Sequence, residues 1–119
     1  MVVHRPNQSD TKGWLCGPWN TDLDVSIGYA NTGIDEPHLH SEISEVYLVA
    51  RGRSDIRVGT QTVSLKPGDV IVVEPGEPHT FLSSSQDYFH FVLHLPAEQG
   101  PVKPGDKMAV SRSVLGLAD

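Results

Sequence analysis

His38, His40, Glu45 and His79 are the residues of this chain whose types and spacing point most directly to chemistry. With one residue between them, His38 and His40 leave an extended backbone on the same side, so two neutral imidazoles can converge on one ion. Glu45 opens the run EVYLVAR, and a carboxylate entering an apolar strand is costly unless a cation or a hydrogen-bond donor meets it. It is out of phase with the two histidines, so the chain must turn or bulge between Ser41 and Ser44 for all three to face one point; Glu42 shares their phase and is the rival ligand. His79 follows a loop tied down by Pro75 and Pro78, which limits the freedom lost when the imidazole is placed. Imidazoles and a carboxylate brought together from separate strands form a ligand set for a divalent ion.

The elements that must position these side chains read as strands. Leu23, Val25, Ile27 and Tyr29 alternate with polar residues and glycine, which marks a strand over 23–30 with that apolar face buried. Pro37 cannot donate to a ladder, so the chain enters the His38–His40 segment in extended form. Residues 45–51 suit a central strand that ends at Gly52, and Tyr47, two residues past Glu45, shares its inward face, where the hydroxyl is a candidate catalytic group. Residues 54–58 and 62–65 flank Gly59 and Thr60, as in a hairpin with a type II′ turn. The run 70–73 reads as a strand buried on both faces, and 87–95 alternates again. If Phe89, Phe91 and Leu93 fill the interior, His90 and His94 point outward; the expected core is Val25, Ile27, Val46, Leu48, Val49, Ile71, Val73, Phe89 and Phe91. Arg51, Arg53 and Arg57 read as solvated or paired surface groups.

Many short strands between glycine and proline turns, with no amphipathic helix, predict an all-β sandwich or barrel. We expect one domain: an irregular arm over 1–20 in which Trp14 and Trp19 cover a barrel edge or a neighbouring subunit, a barrel over 21–96, and a tail over 97–119 with little regular structure. At 119 residues there is room for one core. The net charge of -6 argues against nucleic acid, and no apolar run approaches the roughly 20 residues that span a bilayer. Without a basic-then-apolar leader pattern in MVVHRPNQSD, the expected location is the cytoplasm. Cys16 is the single cysteine and reads as a small hydrophobe, not a nucleophile.

Two stretches together resemble the two motifs of the cupin superfamily, over roughly residues 33 to 83. In the first, Gly33 precedes His38, His40, Glu45 and Gly52, with the leading glycine one residue closer than is usual. In the second, Gly68, Gly76 and His79 fall on the pattern, while Glu74 replaces a proline and Ser83 stands where the family has asparagine. The resemblance implies an all-β jelly-roll barrel (a double-stranded β-helix) and a homodimer. It also implies that His38, His40, Glu45 and His79 hold one divalent ion, with manganese, iron, nickel and zinc all admissible. Such an ion, with two positions open if octahedral, would suit an enzyme acting on a small oxygenated metabolite as dioxygenase, isomerase, lyase or decarboxylase. The alternative is a non-catalytic cupin that holds a sugar-like ligand, since fold alone does not fix chemistry.

Overall fold

The computed structural model describes residues 1–97 and 106–119. Among these, β1 (Lys12–Cys16), β2 (Ser26–Ala30), β9 (Phe89–Leu95), β4 (Ser44–Arg51) and β7 (Val70–Val73) form one sheet in that order. The second sheet runs β10 (Lys107–Ala109), β3 (His38–His40), β8 (His79–Ser84), β5 (Ser54–Val58) and β6 (Gln61–Leu65). Every pairing is antiparallel. The fold is the expected all-β jelly-roll barrel, with two sheets packed face to face.

Turn chemistry follows the sequence closely. Val58 pairs with Gln61 across a two-residue turn in which Gly59 alone takes positive φ, at 55°, as a type II′ turn requires. Gly52 ends β4 with φ at 74°, and a Cβ there would lie 2.5 Å from the Tyr88 backbone, so no larger residue fits.

The two halves of β4 meet different interiors. Its second half adds Val49 to a core of Tyr47, Ile56, Val73, Phe81 and Tyr88, while its first half delivers Glu45 to the wall of a cavity. Val49 and Val73 are buried as expected, and Ile71 packs against the same cluster.

Elsewhere the inward phase is the opposite of the expected one. β2 starts at Ser26, Leu23 is exposed, and Ser26, Gly28 and Ala30 are fully buried while Val25 and Ile27 are only half-buried. On β4 and β9, Glu45, Tyr47, His90 and His94 are buried, while Val46, Leu48 and Phe91 are half-buried on the other face. The continuous apolar run of β7 is not buried on both sides: Val70 and Val72 are 57% and 55% exposed, because β7 is the outermost strand of its sheet and only one face meets the core. Phe89, although on the outer phase, is buried by stacking on Tyr29 and by the Arg51 guanidinium above its ring.

Both ends of the chain carry more structure than expected. Residues 12–16 of the arm form β1, which pairs along β2 with a bulge between Trp14 and Cys16 and so covers the β2 edge. In the tail, β10 pairs with β3 and residues Arg112–Leu115 form a 3-10 turn anchored by the fully buried Leu115. Both gain their order from long-range contacts, which local composition does not reveal. The loop expected over 96–106 falls mostly on 98–105, outside the described residues. No helix among the described residues is long and apolar enough to cross a membrane.

Candidate metal centre

β3 and β8 place two imidazoles side by side, since His38 is the register partner of His79. Backbone bonds then pin the neighbouring loop: Gly76 N donates to His40 O at 2.7 Å, and Gly59 N donates to Pro78 O at 2.8 Å. The phase conflict between His40 and Glu45 is resolved by a change of sheet. β3 belongs to one sheet and β4 to the other, and residues 41–43 turn between them. Asp106 holds that turn by accepting hydrogen bonds from Glu42 N at 2.5 Å and Ile43 N at 3.0 Å. Glu42 itself is exposed, and Glu45, 3% exposed, is the carboxylate brought to the histidines.

Around Glu45 the two carboxylate oxygens have different company. Tyr47 Oη donates to Oε2 at 2.8 Å, and His94 Nε2 donates to the same oxygen at 2.9 Å. Oε1 is approached by the Nε2 atoms of His79 at 2.8 Å, His40 at 3.1 Å and His38 at 3.4 Å. The other nitrogen of each ring is already engaged with an acceptor. Nδ1 of His38 donates to Glu36 O at 2.6 Å, Nδ1 of His79 to Glu77 O at 3.0 Å, and Nδ1 of His40 to Asp106 Oδ1 at 2.7 Å. A carbonyl can only accept, so the protons sit on Nδ1, and each neutral ring presents a bare Nε2 lone pair to Oε1.

Three lone pairs facing a carboxylate oxygen repel one another unless a cation lies among them. Consistent with this, Glu45 Oε1 and His79 Nε2 are buried without any hydrogen-bond partner. Adjacent ligands on an octahedral ion with bonds of about 2.1 Å stand about 3.0 Å apart, close to the observed separations. The Oε1–Nε2 separations therefore suit a divalent ion, with His40 falling in a different ligand group from His38 and His79. His38, Glu45 and His79 form one group that could hold it; His40, Glu45 and His94 form another.

Without an ion, protons on the imidazole Nε2 atoms would take its place beside Oε1, and the electrostatics show the demand for positive charge there. Burial would raise the Glu45 pKa, but the four surrounding imidazoles outweigh it and hold the carboxyl far below the usual range. Burial also opposes a charge on His40, yet Glu45 and Asp106 together raise its pKa. Tyr47 is pushed well above its usual value, first by burial and then by the Glu45 charge, so its hydroxyl stays protonated.

One participant lay outside the sequence reading, one faces the opposite way from the expected one, and one side chain takes a different part. His94, expected to point outward, is the cross-strand partner of Glu45 and lies beside it. Its signal was available: a costly glutamate on an inward phase implies that the neighbouring strand turns its polar phase inward as well. Asp106, 66 residues from His40, left no local signal. Tyr47 bonds Glu45 directly, which makes it an orienting group for the carboxylate. Arg51 and Arg57 are spent on Gln8 Oε1 and Leu115 O, in keeping with a structural role.

The centre opens into a cavity of about 430 Å³ whose wall includes Trp14, Tyr47, Phe81, His90 and Val92. That volume takes a small metabolite.

A family model described as a Cupin domain matches residues 28–95. An uncharacterized protein of Streptomyces coelicolor is 36% identical over 82 residues, spanning 65% of this chain and 75% of that protein. Among solved structures, a Streptomyces PAC13 variant with uridine aligns with a TM-score of 0.70 at 14% identity, over 93% of this chain and 92% of that one. Pac13 is described as a nucleoside dehydratase. The polyketide cyclase RemF from Streptomyces resistomycificus aligns with a TM-score of 0.65 at 20% identity, over 84% of this chain and 70% of its own. At these identities the structural likeness is one of fold.

Proposed function

Because the chain belongs to the cupin family, we propose that it is a mononuclear divalent-metal enzyme acting on a small oxygenated metabolite. The observation that carries this reading is the convergence of three Nε2 lone pairs on Glu45 Oε1, with every Nδ1 proton committed elsewhere. His38, His40, Glu45 and His79 would hold the ion, which when bound supplies Lewis-acid polarisation of a substrate oxygen. Asp106 fixes the His40 ring, and Tyr47 and His94 hold Glu45 Oε2 so that Oε1 alone faces the imidazoles. The same Tyr47 and His94 protons lie beside the cavity, where they can be shared with a substrate oxygen.

Support for non-redox chemistry such as dehydration or cyclisation comes from the neighbours named as a nucleoside dehydratase and a polyketide cyclase. The test is metal analysis of the purified chain, followed by turnover of a mixed pool of small oxygenated compounds by metal-loaded and chelated samples. Stoichiometric divalent metal, lost in Glu45→Gln and in His79→Ala, supports the ligand set; metal content unchanged in both overturns it. Metal-dependent turnover supports an enzyme, and tight binding without turnover supports the sugar-like binding alternative.

A further inference from the structure

The cavity has a second polar point that the metal centre does not use. His90 lines its wall on β9, 3% exposed, four residues before His94 and opposite Val49 in the sheet register. Aromatic rings fix it on three sides: Phe81 stacks on it at 5.1 Å and 27°, and Tyr47 and Tyr88 meet it edge-on at 5.0 Å and 5.3 Å. Tyr88 Oη lies 2.7 Å from His90 Nδ1. Nε2 makes no hydrogen bond among the described residues.

The direction of the Tyr88–His90 bond follows from burial. Tyr88 is 1% exposed, and its hydroxyl has no other acceptor among the described residues. Were Nδ1 the donor, the unpartnered proton would be the Tyr88 hydroxyl's, away from the cavity wall; in the reverse arrangement it is the Nε2 proton of His90, which lines the cavity and is not among the fully buried unpartnered atoms, so water or a ligand can take it. Tyr88 therefore donates to Nδ1, and the proton of the neutral ring sits on Nε2. Burial pushes the imidazole down to about 4 and raises the Tyr88 phenol, so the pair keeps these protons at neutral pH.

We propose that His90, oriented by Tyr88, is a substrate-reading donor: its Nε2–H receives a carbonyl oxygen of an uncharged, flat ligand that lies along the Phe81 and Tyr47 side of the cavity. A neutral donor suits a neutral acceptor. A carboxylate or phosphate would find no cation at His90 Nε2 and would be drawn instead to the ion held by Glu45 and the imidazoles, or to Lys12 and Lys107 elsewhere on the cavity wall. The inference rests on the reading of the cavity as a small-ligand site, and it names the ligand class for the part of the cavity wall formed by His90, Phe81 and Tyr47.

The test is nitrogen NMR of histidine-labelled, metal-loaded protein, with His90 assigned through His90→Phe. The free protein is expected to show His90 protonated on Nε2 and bare on Nδ1. Millimolar uracil, 2-pyridone or δ-valerolactam should shift the Nε2–H resonance, and benzoate should not. His90→Phe keeps the ring stack, Tyr88→Phe removes only a hydroxyl, and each should weaken the carbonyl probes about three- to tenfold, the worth of one neutral hydrogen bond, at unchanged metal content. A proton on Nδ1, no shift with any of the carbonyl probes, or a larger shift with benzoate overturns the proposal. Metal content separates the two readings. Loss of the Nε2 response with metal retained refutes the His90 subsite alone, whereas metal retained in Glu45→Gln with the response intact refutes the ligand set alone.

Discussion

The two faces of the first sheet share strands β2, β9, β4 and β7 but have opposite chemistry. In register across them, Ile27, Leu93, Val46 and Val72 make an apolar row on the outside. The adjacent row, Ser26, His94, Glu45 and Val73, turns inward and is polar in its first three members. The polar row is tolerated inside because its charge is shared: Tyr47 and His94 meet one oxygen of Glu45, and three imidazoles crowd the other. The inward face is thus divided between a polar row about the candidate centre and an apolar core of Tyr47, Val49 and Val73 beyond it.

That comparison can be broken most easily by truncating side chains one position apart. Tyr47→Ala opens the core and removes a donor from Glu45, and should cost about 3–5 kcal/mol; the outward Leu48→Ala should cost nearer to about 1 kcal/mol. Urea denaturation of the two variants checks the ranking, and equal losses would erase the distinction between the faces.

A second effect depends on pH. His90 has its pKa lowered from 6.5 to about 4 by burial, so the unfolded chain takes up a proton at a pH where the folded chain does not. This contribution is complete above pH 6.5 and is lost as pH falls toward 4, at up to about 1.4 kcal/mol per pH unit. His90→Phe should flatten the stability profile in that window, as followed by thermal melts across buffers.

Smaller again are the effects of groups that orient ligands. Asp106→Asn and Tyr47→Phe should each weaken metal binding by about 10- to 100-fold while leaving the fold intact, measured by competition with a chromogenic chelator. Least of all, Val70→Thr and Val72→Thr on the exposed face should change stability by no more than about 0.5 kcal/mol.

Much of the barrel was legible because its signals are local. The Gly59–Thr60 hairpin, the extended His38–His40 segment and the Pro-bounded loop before His79 follow from residue types within a few positions. The need for a change of direction between His40 and Glu45 was also legible, and Asp106 supplies its anchor. What a period of two cannot say is which of two faces points inside. The usual rule that the apolar face turns inward placed His90 and His94 in solvent, and it fails here because the inward phase carries Glu45, whose buried carboxylate needs polar partners from the neighbouring strand. Pairings such as β1 with β2 and β10 with β3 depend on distant partners, so the ends of the chain read as irregular until the fold brought them together.

The most direct test of the inward polar face as a metal centre is anomalous diffraction from crystals grown with manganese or zinc. One strong peak is expected among Nε2 of His38, His40 and His79 and Oε1 of Glu45, with His94 still bonded to Oε2. A peak held instead by His40, Glu45 and His94, or no peak within reach of Glu45, would contradict it.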